Sequence, residues 1–144
     1  MSVAIDASVL IYSADIASPH RERADAALAA IFRAGESVWL FPPVITAFIR
    51  VSTHARLFRN PLTLDEAFSS IRSLLALPSA QVAPTAEDYL DFLQQVAEPA
   101  RATGKLIHDA EIVALMKQHG VTRILTADRD FLKFEGITVT LLNP

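Results

Sequence analysis

Apolar and polar positions divide the chain into short apolar runs and longer segments with helical spacing. The short runs predict strands at residues 2–5, 37–41, 81–83, 123–127 and 137–141. The longer segments predict helices at about residues 20–34, 42–55, 63–77, 85–101 and 109–119. Strands separated by helices favour an α/β fold, three layers deep, with a parallel sheet of four to five strands between helices.

Punctuating residues support these boundaries. Pro42 and Pro43 suit the first turn of a helix, and Thr63 with Glu66 has the spacing of a capping box. All four glycines, at 35, 104, 120 and 136, fall where a periodic segment stops. The helix predicted at residues 63–77 has periodic apolar residues at Leu64, Phe68, Ile71 and Leu75. In the helix predicted at residues 85–101, we expect four apolar residues to point inward: Leu90, Leu93, Val96 and Ala100.

Length and composition narrow the class of protein. The 144 residues suit a single domain over 1–144, and the absence of cysteine excludes disulfide scaffolds, zinc ribbons and thiol catalysis. No apolar run approaches the roughly 18 residues of a membrane span, and Asp6 comes too early for a secretory signal, so we expect a cytoplasmic protein without membrane attachment. A net charge of -3 argues against coating nucleic acid by bulk charge.

Four aspartates are candidates for chemistry. Asp6 and Asp128 directly follow two predicted strands, so both should project from the same edge of a parallel sheet, where functional crevices lie. Asp109 heads a stripe that continues with Ile112, Val113 and Met116 and faces inward. Asp130, two residues after Asp128, could join from the turn.

Each of these aspartates alone has an ordinary explanation as a helix cap. Several acids at one sheet edge repel one another unless protons or a cation neutralise them. Oxygen ligands suit Mg²⁺, which commonly serves phosphodiester chemistry through metal-activated water. The four histidines have no metal-ligand spacing.

Basic residues are unevenly spread. Residues 37–64 contain no acid but include Arg50, Arg56 and Arg59. This stretch is either a face for RNA phosphates or an ordinary solvated helix face. We expect the aromatic residues of this stretch to pack in the core, and the alternative is an exposed patch that contacts a partner protein. These residues are Trp39, Phe41, Phe48 and Phe58.

At these residues the sequence resembles PIN-domain ribonucleases, and more narrowly VapC-type toxins of type II toxin-antitoxin pairs. The resemblance spans the chain and rests on four motifs: Ala-Ile-Asp6-Ala-Ser8, Phe-Ile-Arg50-Val-Ser-Thr-His, Ile-His-Asp109-Ala-Glu111 and Thr126-Ala-Asp128-Arg-Asp130. It implies sheet order 3-2-1-4-5, a Mg²⁺ or Mn²⁺ site, cleavage of single-stranded RNA, a homodimer and inhibition by a small antitoxin.

By position, the resemblance makes Asp6, Asp109 and Asp128 the catalytic acids and metal ligands, with Asp130 as a further ligand. It gives Ser8 and Thr126 supporting roles and Arg50 a contact to RNA. One acid is missing, because the glutamate usual in the third helix aligns with Ala47. Glu111 lies about 200° around its helix from Asp109, so Asp130 is the better substitute.

The leading hypothesis is therefore a metal-dependent endoribonuclease toxin. Its alternative is a catalytically weakened PIN-like module that binds antitoxin or RNA without efficient cleavage, motivated by Ala47. A phosphotransfer receiver or aspartyl-phosphate phosphatase fits less well, because Asp6-Ala7-Ser8 lacks the paired acids of those proteins.

Overall fold

The computed structural model describes residues 1–143. Five strands are present: β1 (Ser2–Ile5), β2 (Ser37–Leu40), β3 (Ala80–Val82), β4 (Arg123–Thr126) and β5 (Thr138–Leu141). The α-helices are α1 (Ala7–Ala14), α2 (Arg21–Arg33), α3 (Pro42–Ser52), α4 (Leu64–Leu75), α5 (Tyr89–Ala100) and α6 (Leu106–Gln118). A short 3₁₀ helix, Arg129–Lys133, connects β4 to β5.

All strands pair in parallel in one sheet of order β3-β2-β1-β4-β5, which confirms the predicted fold class and strand order. Three consecutive residues are buried at the carboxyl end of β1 and of β4, so both faces of the sheet are covered at its centre. The β5 edge is more exposed. None of the helices in the described part of the chain combines the length and apolar character needed to span a bilayer.

Helix α1 was not predicted. It begins directly after Asp6, at the carboxyl end of β1, and buries Ala7, Val9 and Leu10. Helix α6 begins at Leu106 rather than at the predicted Asp109, so Asp109 lies in its first turn. Residues 112–116 are all buried, which makes α6 a central helix of the core.

Helices α4 and α5 bury less than their periodicity predicts. Leu64 and Phe68 are 61% and 45% exposed, and Leu90, expected to point inward, is 73% exposed. The predicted capping box of α4 is confirmed: the backbone N–H of Glu66 donates to Thr63 Oγ1 over 3.1 Å, and the N–H of Thr63 donates to Glu66 Oε1 over 2.9 Å. Of the four aromatics expected in the core or on a partner patch, the three phenylalanines are buried.

Candidate metal centre and adjoining cleft

The central strands bring Asp6 and Thr126 to the same level of the sheet edge. Ile5 pairs with Leu125, and the backbone N–H of Asp6 donates to the Leu125 carbonyl over 3.0 Å. One residue further, Asp6 follows β1 and Thr126 ends β4. Both side chains are buried, with exposed fractions of 7% and 0%. The parallel register therefore places a carboxylate beside a hydroxyl before any ligand is considered.

Hydrogen bonds hold this part of the edge in a fixed arrangement. Asp6 Oδ2 accepts from Thr126 Oγ1 over 2.7 Å and from Ser8 Oγ over 2.8 Å. Thr126 Oγ1 also accepts from the backbone N–H of Asp128 over 2.9 Å, and Ser8 Oγ accepts from that of Ala127 over 3.0 Å. The two hydroxyls thus connect the start of α1 to the end of β4, and they orient the Asp6 carboxylate.

A second group of acids lies at the same edge. Asp109, Asp128 and Asp130 each offer a carboxylate oxygen, and these oxygens lie within 4.8 Å of one another. We call these residues the acid cluster. Asp128 Oδ1 caps the 3₁₀ helix by accepting from the backbone N–H of Asp130 over 2.9 Å, and Lys133 Nζ lies 3.1 Å from Asp130 Oδ1. Residues far apart in sequence thus converge at the point where α6 begins and β4 ends.

Asp109 has a strongly perturbed carboxyl group. Burial, together with the charges of Asp128, Asp6 and Asp130, raises its pKa to about 7, and the charge of Lys105 opposes this rise. Its Oδ2 atom is buried and has no hydrogen-bond partner among residues 1–143. A buried carboxylate oxygen without a partner, among other carboxylates, is suited to a bound cation. The donor set, all oxygen, fits Mg²⁺ or Mn²⁺.

The structure thus groups the predicted acids unequally. Asp130, the substitute expected for the absent glutamate, lies with Asp109 and Asp128. Asp6 is outside that set, although its charge contributes to the raised pKa of Asp109. The predicted supporting hydroxyls, those of Ser8 and Thr126, both contact Asp6, and Thr126 also holds the Asp128 backbone.

An open cleft of about 650 Å³ lies between α3 and the start of α6. Helix α3 contributes Ala47 and Arg50, and the α6 side contributes Lys105, His108 and Glu111. We call this the α3–α6 cleft. It contains the predicted RNA contact, Arg50, and the alanine that aligns with the absent family acid.

Two residues of this cleft were not identified from the sequence as functional candidates, Lys105 and His108. The signal that could have identified them is position: His108 directly precedes Asp109, and Lys105 is the N-cap residue of the same helix. His108 Nδ1 lies 3.9 Å from Glu111 Oε1. Glu111 also faces Tyr89. Burial and the negative charge of Glu111 together raise the pKa of Tyr89 to about 12. As expected, Glu111 does not join the acid cluster.

Comparison with known proteins identifies this arrangement. The family model described as PIN domain matches residues 3–137. The chain belongs to the PIN domain family. Among relatives of the PIN domain described here, Ribonuclease VapC48 of Mycobacterium tuberculosis is 34% identical over 139 residues, which cover 96% of each chain. The family that the sequence resemblance predicted is thus confirmed.

Solved structures show the same fold at lower identity. A VapBC2 complex from Rickettsia felis, bound to a DNA fragment from the promoter, has a chain that matches this PIN domain with a TM-score of 0.71, 10% identity and 98% coverage of both chains. VapC20 of Mycobacterium tuberculosis, titled a sarcin-ricin loop cleaving toxin, matches with a TM-score of 0.67 and 14% identity, covering 95% of this chain and 99% of that one.

Proposed function

We propose that the chain is an endoribonuclease that cleaves single-stranded RNA and acts in the cytoplasm as the toxin of a type II toxin-antitoxin pair. The acid cluster carries the proposal, because it gathers three of the acids to which the family resemblance gives metal-binding roles and includes a buried, unpartnered carboxylate oxygen. The relatives' name, ribonuclease, supports the reaction class.

A divalent cation, Mg²⁺ or Mn²⁺, would be held by Asp109, Asp128 and Asp130, with Asp6 beside them. When bound, such an ion lowers the pKa of water and offsets charge on a phosphate. The chain's own contribution is orientation. Thr126 and Ser8 fix the Asp6 carboxylate, and the cap at Asp128 fixes the turn that carries Asp130. The raised pKa of Asp109 means that its proton must leave before a cation binds.

The proposal extends to partners. A small antitoxin is supported by the fold shared with a chain of a toxin-antitoxin complex from Klebsiella pneumoniae, which matches with a TM-score of 0.64. A homodimer is expected from the family resemblance. Arg50, exposed on α3 beside the site, would contact the RNA backbone, because arginine suits phosphate oxygens.

The alternative, a PIN domain that binds RNA or antitoxin without efficient cleavage, is motivated by Ala47. Position 47 lines the α3–α6 cleft, and the glutamate that the family resemblance predicts there is absent. Asp130 argues for the nuclease, because it restores a third carboxylate to the cluster.

The decisive experiment is RNA cleavage with and without Mg²⁺ or Mn²⁺, comparing the parent protein with Asp6→Asn and Asp109→Asn. We expect cleavage only by the parent and only with metal, with a loss of roughly a hundredfold or more in each variant. Equal activity in all three proteins would reject the nuclease assignment. Growth arrest on expression, relieved by the small protein encoded beside it, tests the toxin role separately.

A further inference from the structure

The α3–α6 cleft differs in charge from the acid cluster beside it. Its cationic residues are Arg50 and Lys105, and His108 adds a ring that can donate a hydrogen bond. Its one lining acid, Glu111, faces both Tyr89 and His108. The cleft is therefore a basic, open groove next to a cluster of carboxylates, of which Asp109 is buried and the other two are half-buried.

Lys105 connects the two regions. Its side chain is exposed and lines the cleft, and it is the N-cap residue of α6, four residues before Asp109 in the first turn of that helix. Lysine at this place is unfavourable for the helix itself, because the N-terminal end of a helix carries partial positive charge. A locally unfavourable charge beside a candidate site is a sign of a functional requirement.

The start of α3 explains why side chains must supply the contacts in this cleft. Pro42 and Pro43 occupy its first turn and have no backbone N–H to offer an anion. The hydroxyl of Thr46 is engaged, because it donates to the Pro42 carbonyl over 3.1 Å. The cleft therefore offers an anion two charged donors, Arg50 and Lys105, and the uncharged donors among its lining side chains are His108 and Thr85.

Ala47 has a second consequence in this setting. Its methyl group leaves room in the cleft, whereas a glutamate at this position would add length and negative charge three residues before Arg50 on the same helix. A second lining carboxylate, besides that of Glu111, would oppose the binding of an RNA phosphate. The alanine thus makes the cleft compatible with an anion.

We propose that the α3–α6 cleft binds an RNA phosphate next to the one that is cleaved, with Lys105 as a positioning residue and Arg50 as its partner. This inference rests on the proposed nuclease function, because it places the bound phosphate next to a phosphodiester that is cleaved. Phosphate binding itself does not require catalysis. Lys105 holds the strand at the start of α6, so the neighbouring phosphodiester lies over the acid cluster. The specificity is for a sugar-phosphate backbone rather than for bases.

The test measures binding and turnover separately. Binding of a short fluorescein-labelled single-stranded RNA is followed by anisotropy in EDTA over a series of KCl concentrations, for the parent, Lys105→Gln, Arg50→Gln and the double variant. Each lost phosphate contact should lower the slope of log Kd against log salt by about 0.7, and the double variant by about 1.4. In Mg²⁺, Lys105→Gln should raise KM several-fold and leave kcat within about twofold.

Lys117→Gln is the matched control, because Lys117 is an exposed lysine in the last turn of the same helix. It should match the parent in slope and in KM. Parent-like values for Lys105→Gln, or no RNA binding by the parent at low salt, would overturn the inference. The inference would also fail if Lys105→Gln bound an oligo-glutamate peptide more weakly than the parent but bound RNA equally well, because the cleft would then be a protein contact.

The two proposals fail in different ways. If the slopes change as expected but no metal supports cleavage, the cleft binds RNA and the nuclease assignment fails. If Asp109→Asn abolishes cleavage but Lys105→Gln changes neither slope nor KM, the nuclease stands and the cleft assignment fails.

Discussion

The two halves of one sheet edge are built in opposite ways. On the β1 and β4 side, strands end in buried polar residues, Asp6 and Thr126, which are hydrogen-bonded to each other. On the β2 side, the strand is followed by Phe41, fully buried, and then by two prolines that open α3. The first half is a tightly connected acidic group, and the second is an apolar base under an open basic cleft.

This difference teaches where the family's acidic motif can be altered. In the first half, Asp6, Ser8 and Thr126 are hydrogen-bonded to one another and to the backbone of residues 127 and 128, so removing one of them leaves a partner unsatisfied. In the second half, Ala47 lines a cleft that is open to water, so no buried group depends on an acid at this position. The absence there of the glutamate that the resemblance predicts is therefore compatible with folding, and Asp130 lies with Asp109 and Asp128 in the acid cluster.

The largest expected effect comes from Asp109→Asn, which removes a buried carboxylate that lies among other carboxylates. Because burial and neighbouring acids raise its pKa to about 7, the folded state binds this proton more strongly than the unfolded state does. The parent, in EDTA, should therefore lose stability as pH rises from about 4 to 7. At pH 8, the variant should be more stable by on the order of 2 to 4 kcal/mol.

Urea denaturation at pH 5, 6.5 and 8 measures the effect. Saturating Mn²⁺ supplies the control, because it should stabilise the parent at pH 8, by about 2.7 kcal/mol at a hundred times Kd, and leave the variant almost unchanged. A parent whose stability in EDTA rises between pH 5 and 8, with no difference from Asp109→Asn, would contradict the buried acidic site.

A smaller effect is expected from the hydroxyl that connects the strands, with Thr126→Val. Valine keeps the shape but removes the donor to Asp6 and the acceptor for the Asp128 backbone N–H. We expect about 1 to 3 kcal/mol less stability and a 10- to 100-fold lower affinity for Mn²⁺, measured by urea denaturation and calorimetry.

Thr138→Val is the matched control for that variant, because Thr138 is an exposed threonine on the neighbouring strand β5. It should leave stability within about 0.5 kcal/mol and metal affinity unchanged. Equal metal affinity in both valine variants would show that Thr126 does not support the acids.

The sequence predicted the acidic half well, because its signal is local. Asp6 and Asp128 directly follow buried strands, and strand ends of a parallel sheet meet at one edge regardless of the details of packing. What spacing could not predict is which oxygens approach. Asp130 lies in the cluster, whereas the Asp6 carboxylate is taken up by two hydroxyls.

The basic half and the outer helices were harder to predict, for a physical reason. The α3–α6 cleft joins residues 47–50 with residues 105–111, and only the packing of α3 on α6 brings them together. Periodicity also identifies an apolar stripe without showing whether another layer covers it. The exposure of Leu64 and Phe68 could therefore not be predicted from their spacing. Helix α1 was missed because eight residues, mostly apolar, give a weak helical pattern.

The smallest expected effect tests the boundary between the two halves, with Ala47→Glu compared with Ala47→Gln. Glutamate should restore a negative charge to the cleft, so RNA binding should weaken about threefold relative to glutamine, while Mn²⁺ affinity rises. Glutamine has the same length without the charge, so it separates repulsion from simple filling of the cleft. Anisotropy and calorimetry on both variants measure the two affinities. Tighter RNA binding by Ala47→Glu than by Ala47→Gln would contradict a phosphate in the cleft, and cleavage that appears only in Ala47→Glu would identify the natural chain as the binding module.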